Sequence, residues 1–211
     1  MFSPRQKWLI ARARGERVLD IGFVGEHEPN LHMAIRQVNP GAKIIGIDLK
    51  RDQLRSLALP GTAVASAMAL PFAAGSFDVV VAAEVIEHLS HPWPVFVQAS
   101  RVLKTGGQLL LTTPSPYDLV RYCRHWLFAP RAFAEHNYRQ FLGDSDHRAF
   151  SDPLSLCNQL AECDLKVMEM TTKHHHIPIL ARWVKALRLM DLPFYPFTRW
   201  GAYLCLKAVR Q

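Results

Sequence analysis

Cysteine is scarce in this chain. The four present, Cys123, Cys157, Cys163 and Cys205, never form a C-x-x-C pair, so the spacing offers neither a disulfide framework nor a zinc finger and suits reduced thiols in a cytoplasmic setting. Long apolar runs are missing too, since nothing reaches the about 18 uncharged residues that a membrane-spanning helix needs. The opening MFSPRQKWLIARARGERVLDIG has charges scattered throughout and no continuous apolar segment, which excludes a secretory signal. There is no Gly/Ser-rich or Pro-rich tract to serve as a linker and no repeat with a period of about 20 to 50 residues. At 49% apolar and 20% charged residues, disorder is excluded as well.

Acidic residues are almost absent from the C-terminal part. From Thr171 onward Lys173, Arg182, Lys185, Arg188, Arg199, Lys207 and Arg210 face Asp191 alone, so the last 41 residues carry +6 of a net charge of +7. Such an asymmetry points to an anionic partner or surface.

What is abundant is an alternation of short Val/Ile/Leu-rich runs with longer amphipathic stretches, the sequence form of repeated βα units. Strands are expected at Arg17–Ile21, Lys43–Ile47, Ala63–Ala65, Asp78–Ala82, Gln108–Thr113, Lys166–Thr171 and Ala202–Ala208. Helices are expected at Pro29–Val38, Arg51–Leu57, Pro92–Leu103, Asp152–Glu162 and Ile179–Met190, the fourth opened by Ser151 as N-cap with Pro153 in its first turn. The fold class is therefore α/β with a doubly wound, mostly parallel sheet. No composition break divides residues 1–211, which read as one domain with a lid-like insert at about 114–150 and a basic amphipathic insert at about 177–200.

The first strand runs into the loop Gly22-Phe-Val-Gly-Glu-His-Glu-Pro29 and then a helix, the place where open α/β sheets bind nucleotide-like ligands. A dinucleotide requires G-x-G-x-x-G so that a pyrophosphate can approach the backbone. Here Val24 and His27 hold the second and third glycine positions, and the loop carries Glu26 and Glu28 without a Lys or Arg. Acidic side chains repel a pyrophosphate and attract a sulfonium and an amino group, which favours S-adenosylmethionine over a nicotinamide cofactor. Asp48 closes the second strand, where a carboxylate can accept hydrogen bonds from both ribose hydroxyls or cap the helix that begins near Arg51.

Four segments in order, VLDIG at 18–22, IIGID at 44–48, ALPFAAGSFDVVVAAEVIEHL at 69–89 and RVLKTGGQLLLTTPSP at 101–116, resemble the class I S-adenosylmethionine-dependent methyltransferases, in particular the ubiquinone-type O-methyltransferases. The resemblance covers about residues 15–170. It implies a Rossmann-like seven-stranded sheet with a C-terminal antiparallel strand, and S-adenosylmethionine as cofactor. It also implies that Asp20 and Gly22 line the methionine side, that Gly25 is a further cofactor-binding residue, that Asp48 holds the ribose, that Ala67 and Met68 flank the adenine, and that Glu84 faces the site. Two departures stand out: the loop reads DIGFVGE where the family reads close to DIGCGTG, and Ser66 replaces the acidic residue often found before LPF.

In AAEVIEHL, the residues Glu84, Glu87 and His88 stand at i, i+3 and i+4, one face of a helix if the segment is helical. The Glu-x-x-Glu-His pattern resembles the metal triad of ubiquinone-type O-methyltransferases and small-RNA 2′-O-methyltransferases, with His147 as the later histidine that completes the shell around a divalent ion such as Mg. Two readings stand. Either Glu84, Glu87, His88 and His147 hold a metal, or the site is metal-free with Glu84 orienting the cofactor, Glu87 in solvent and His88 lining the pocket, and His88, His147 and Glu87 are then the groups for proton transfer. The run His174–His176 reads as a polar loop, and Pro114-Ser-Pro-Tyr117 lies after the wrong strand to be an amino-methylation motif, which favours oxygen as the acceptor.

The segment IPILARWVKALRLMDLPFYPFTRW places Ile179, Leu180, Trp183, Val184 and Leu187 against Arg182, Lys185 and Arg188 on a helix. It suits either packing on the sheet with an aromatic lid or peripheral membrane contact that reaches a lipid-linked acceptor. The activity expected is O-methylation of a small molecule, lipid precursor or glycan. An RNA ribose 2′-O-methyltransferase and a non-catalytic cofactor-binding module are the alternatives, nucleic acid being disfavoured because no RNA-binding module is recognisable.

Overall fold

The computed structural model describes residues 2–24, 29–116, 147–148, 151–173 and 201–211. The first element is a helix, α1 (Pro4–Arg12), absent from the sequence expectations. Ser3 caps it, accepting from the Gln6 N–H at 3.3 Å while the Gln6 side chain accepts from the Ser3 N–H at 3.0 Å, a reciprocal capping box with Pro4 in the first turn. That S-P-x-Q pattern was legible in the sequence, but the basic composition around it hid the apolar face formed by Trp8 and Leu9.

There follow β1 (Arg17–Ile21), α2 (Pro29–Val38), β2 (Lys43–Asp48), α3 (Arg51–Leu57), β3 (Thr62–Val64), β4 (Phe77–Ala83), a short 3-10 turn (Ile86–His88), α4 (Trp93–Val102), β5 (Leu103–Pro114), α5 (Pro153–Glu162), β6 (Leu165–Lys173) and β7 (Tyr203–Arg210). Every expected strand is present, β1 with the bounds expected and the others with ends moved by one to five residues. The largest change is in β5, which starts at Leu103 because the chain leaves α4 directly into pairing with Phe77. The N-cap of α5 is Asp152, not Ser151: its carboxylate accepts from the N–H groups of Leu154 at 3.1 Å and Ser155 at 3.0 Å. The expected helix Ile179–Met190 and both inserts, apart from a few of their residues, lie outside the described residues.

Among the described residues the strands form one seven-stranded sheet in the order β3-β2-β1-β4-β5-β7-β6, with β7 antiparallel to β5 and β6 and every other pairing parallel. The order reverses between β1 and β4, so their carboxyl ends diverge into a crevice, the binding position of open α/β sheets. Both faces are covered. Leu19, Ile21, Ile47, Val80 and Leu111 pack with Phe96 and Ala99 of α4 and Leu156 and Leu160 of α5. Val18, Ile44, Val79, Val81 and Leu110 pack on the other face with Trp8 and Leu9 of α1 and Leu31 and Ile35 of α2. No helix among the described residues is long and apolar enough to cross a membrane.

Candidate functional site

The crevice has a cofactor side, at the ends of β1 and β2, and a chemical side, at the ends of β4 and β5. On the first, Gly22 terminates β1 with φ +71°, and its N–H donates to the Ile47 carbonyl at 2.8 Å. A Cβ there would come within 2.6 Å of Val85 Cγ2, so both the backbone angle and the close approach of the segment after β4 require glycine. Asp48 reaches back across the crevice. Its carboxylate accepts from Val24 N–H and from Lys50 N–H, both at 2.9 Å. It therefore braces the loop after β1 and forms an Asx turn after β2, while Lys50 and not Asp48 is the N-cap of α3.

The departures from the family loop are absorbed by packing. Phe23 and Val24 are buried, and the Phe23 ring stacks on His32 of α2 with centroids 4.5 Å apart. Both rings lie over Gly46 of β2, where a Cβ would meet Phe23 Cε1 at 2.6 Å and His32 Cε1 at 3.0 Å. The bulk that Phe23 adds is thus taken up by a side chain missing from the neighbouring strand. His32 in turn bonds through Nδ1 to the Asp20 carboxylate at 2.9 Å, with both side chains essentially out of solvent. Burial pushes the Asp20 carboxyl above its ordinary range, opposed by the His32 contact. Among the described residues His32 Nε2 has no hydrogen-bond partner.

Beside Asp48, Leu49, Val64 and Met68 expose apolar side chains. Val64 is the register partner of Asp48, and Ala65 N–H donates to the Asp48 carbonyl at 3.2 Å. Ala67 is half-buried in the same loop, which Ser66 closes by accepting from Met68 N–H at 3.2 Å. An apolar shelf next to an acidic strand end offers what an adenine ring and its ribose require. Gly25 lies outside the described residues, as do Glu26, His27 and Glu28.

On the chemical side the expected helical face does not form. Strand β4 ends at Ala83, Glu84 adopts φ +55°, and only Ile86–His88 makes a 3-10 turn. A left-handed glutamate costs about 1–2 kcal/mol and persists here because its partners hold it. Glu84 N–H donates to the Thr112 carbonyl at 3.0 Å, and its carboxylate accepts from Thr112 Oγ1 at 3.2 Å and pairs with Arg5 Nη1 at 3.1 Å. Arg5, from α1, is a site residue that sequence reasoning missed.

Glu87 turns away from Glu84 into the protein. It is buried, accepts from Thr113 Oγ1 at 3.3 Å through Oε2, and among the described residues its Oε1 has no hydrogen-bond partner. Burial, reinforced by the charge of Glu84, raises its carboxyl well above the usual range. The expectation of a solvated Glu87 is therefore corrected. Its backbone carbonyl accepts from Arg148 N–H at 2.7 Å, which brings His147 beside His88 with ring centroids 5.1 Å apart. One ligand atom from each of Glu87, His88 and His147 lies within 4.8 Å of the others. Glu84 is not in this group: the four residues expected around a metal reduce to three, because the left-handed turn and Arg5 draw the first glutamate aside. The remaining three fit a divalent cation in donor chemistry, the orphaned Glu87 Oε1 being the sharpest indication.

A methyltransferase domain family matches residues 19–111. The chain is 36% identical over 132 residues to the 27-O-demethylrifamycin SV methyltransferase of Amycolatopsis mediterranei, covering 56% of this chain and 47% of that protein, so it spans about half the length of that relative. It is 30% identical over 179 residues to the ubiquinone biosynthesis O-methyltransferase of Thiobacillus denitrificans, covering 79% of this chain and 72% of that one. In fold it is similar to an S-adenosylmethionine-dependent methyltransferase from Thermotoga maritima, with a TM-score of 0.66 at 18% identity over 98% of this chain and 88% of that one. Motif order, sheet order and relatives agree, and the chain belongs to the S-adenosylmethionine-dependent methyltransferases, the family whose cofactor the crevice between β1 and β4 suits.

Proposed function

We propose that this methyltransferase acts on a hydroxyl oxygen of a small molecule, lipid precursor or glycan. The observation that carries this reading is the His88–His147 pair beside the buried Glu87 at the end of β4. Bound S-adenosylmethionine supplies a sulfonium methyl for in-line displacement. An attacking hydroxyl must lose its proton, whereas a neutral amine can attack with its own lone pair. One imidazole of the pair accepts that proton, beside Glu87, whose carboxyl burial pushes well above its usual range. The relatives named for O-methylation support oxygen as the acceptor.

A second reading has its own observation. The orphaned Glu87 Oε1 together with His88 and His147 would hold a divalent cation, which lowers the pKa of a hydroxyl bound to it. The basic segment at 177–200, which would carry contact with a membrane or with a lipid-linked acceptor, lies outside the described residues.

The test is transfer of labelled methyl from S-adenosylmethionine to a panel of phenols, lipid-linked phenols, glycans and RNA, run with and without chelator and with His88→Ala. Transfer to a hydroxyl that falls at least about 100-fold in the variant and ignores chelation supports the imidazole reading, and loss on chelation supports the cation. Transfer confined to amines would overturn the oxygen assignment, and transfer confined to RNA would replace the small-molecule acceptor.

A further inference from the structure

The contacts of Arg5 reach further than one ion pair. Its guanidinium pairs with Glu84 at 3.1 Å, lies 3.5 Å from Thr112 Oγ1 and stands 4.9 Å over the Tyr203 ring. These partners sit at the end of β4, in β5 and at the start of β7, three neighbouring strands of the sheet. Glu84 has the left-handed backbone that turns the chain out of β4, and the next residue, Val85, occupies the space that Gly22 leaves open in the cofactor loop. Two residues further on, the 3-10 turn presents Glu87 and His88. One strained turn therefore sets both the wall of the cofactor loop and the direction of the chemical side chains, and a helix outside the matched methyltransferase segment supplies the cation that holds it.

We propose that Arg5 is a positioning residue of the methyltransferase site: by pinning Glu84 it fixes the turn after β4 against Gly22, so that α1 governs cofactor affinity without touching the reaction. The second arginine of the same helix provides the control. Arg12 pairs with Glu169 of β6 at 2.8 Å, beside the Trp8 indole N–H at 2.9 Å from the same carboxylate. That pair ties α1 to the edge strand β6, separated from the β4 turn by β5 and β7.

The experiment is calorimetric titration of the full chain with S-adenosylhomocysteine in four forms: wild type, Arg5→Met, Arg5→Lys and Arg12→Met. Arg5→Met removes the guanidinium from the largely buried Glu84 carboxylate, and the affinity is expected to fall about tenfold or more. Arg5→Lys keeps the charge but cannot span Glu84, Thr112 and Tyr203 together, and lies between. Arg12→Met stays within about twofold of wild type. Unchanged affinity in Arg5→Met, or equal losses in Arg5→Met and Arg12→Met, overturns the proposal, the latter because α1 would then act only by being docked. Should Arg5→Met not fold, Arg5→Lys decides: a loss of about threefold or more upholds it, and wild-type affinity overturns it. The inference rests on the family's cofactor and not on the acceptor, so its failure leaves the proposed oxygen chemistry standing.

Discussion

Replacing Asp48 by alanine separates two jobs that one carboxylate performs. Its bonds from Val24 N–H and Lys50 N–H are each 2.9 Å long, and hydrogen bonds to a charged group contribute about 1.5–3 kcal/mol. Lys50 is exposed and its N–H finds water in the variant, whereas Val24 is 5% exposed and its N–H is stranded. Stability should thus fall by about 1–3 kcal/mol, the cost of one buried unsatisfied donor. If the same carboxylate also receives the ribose hydroxyls, affinity for S-adenosylhomocysteine should fall by about 1.5–3 kcal/mol, or about 10- to 150-fold. Urea unfolding reads the first quantity and calorimetric titration the second. Asp48→Asn keeps one acceptor oxygen but turns an amide N–H₂ toward a backbone donor, so it should lose affinity without restoring stability. A protein that loses stability yet keeps its affinity within about twofold would refute the ribose assignment and leave Asp48 as a brace for the loop.

Gly46→Ala drives a methyl into Phe23 and His32 and should cost about 1–3 kcal/mol by overpacking; adding Phe23→Leu should recover part of the loss, and additive effects in a double-mutant cycle would show that the rings are not what excludes the methyl. Glu87→Gln tests the raised carboxyl. Because folding lifts its pKa, the folded state favours the protonated acid, so the wild type is penalised as pH rises through that raised value and not below about 4.5, the unfolded value. The variant should therefore gain stability over wild type near neutral pH in chelator-containing buffer, with the gain disappearing on acidification; a difference independent of pH would contradict the assignment.

The order of βα units, the crevice after β1 and the identity of the acidic strand ends were legible in the sequence. Strand and helix periodicities are local, and the acidic residues at the ends of β1 and β2 follow directly from where those strands stop. The positions of Asp20, Gly22 and Asp48 at the ends of β1 and β2 were legible in this way, and Gly22 is explained by the approach of Val85. What the altered loop would do was not legible, since the compensation for Phe23 is a missing side chain at Gly46, 23 positions along the chain and adjacent only through the pairing of Asp20 with Gly46.

The chemical side shows the same limit more sharply. The spacing of Glu84, Glu87 and His88 promises one helical face only if the backbone is helical, and local sequence does not choose between a helix and a left-handed turn. The choice follows from Thr112 on β5 and Arg5 on α1, far apart in sequence, which hold Glu84 outward, while the burial of Glu87 against Thr113 draws it inward. Periodicity thus determined the strands and helices of the sheet, because those depend on repeating local patterns, and four motifs in order carried the resemblance to the family. Tertiary structure alone decided which carboxylate pairs with a guanidinium, which is buried and which histidines meet, because burial and distant partners set those properties.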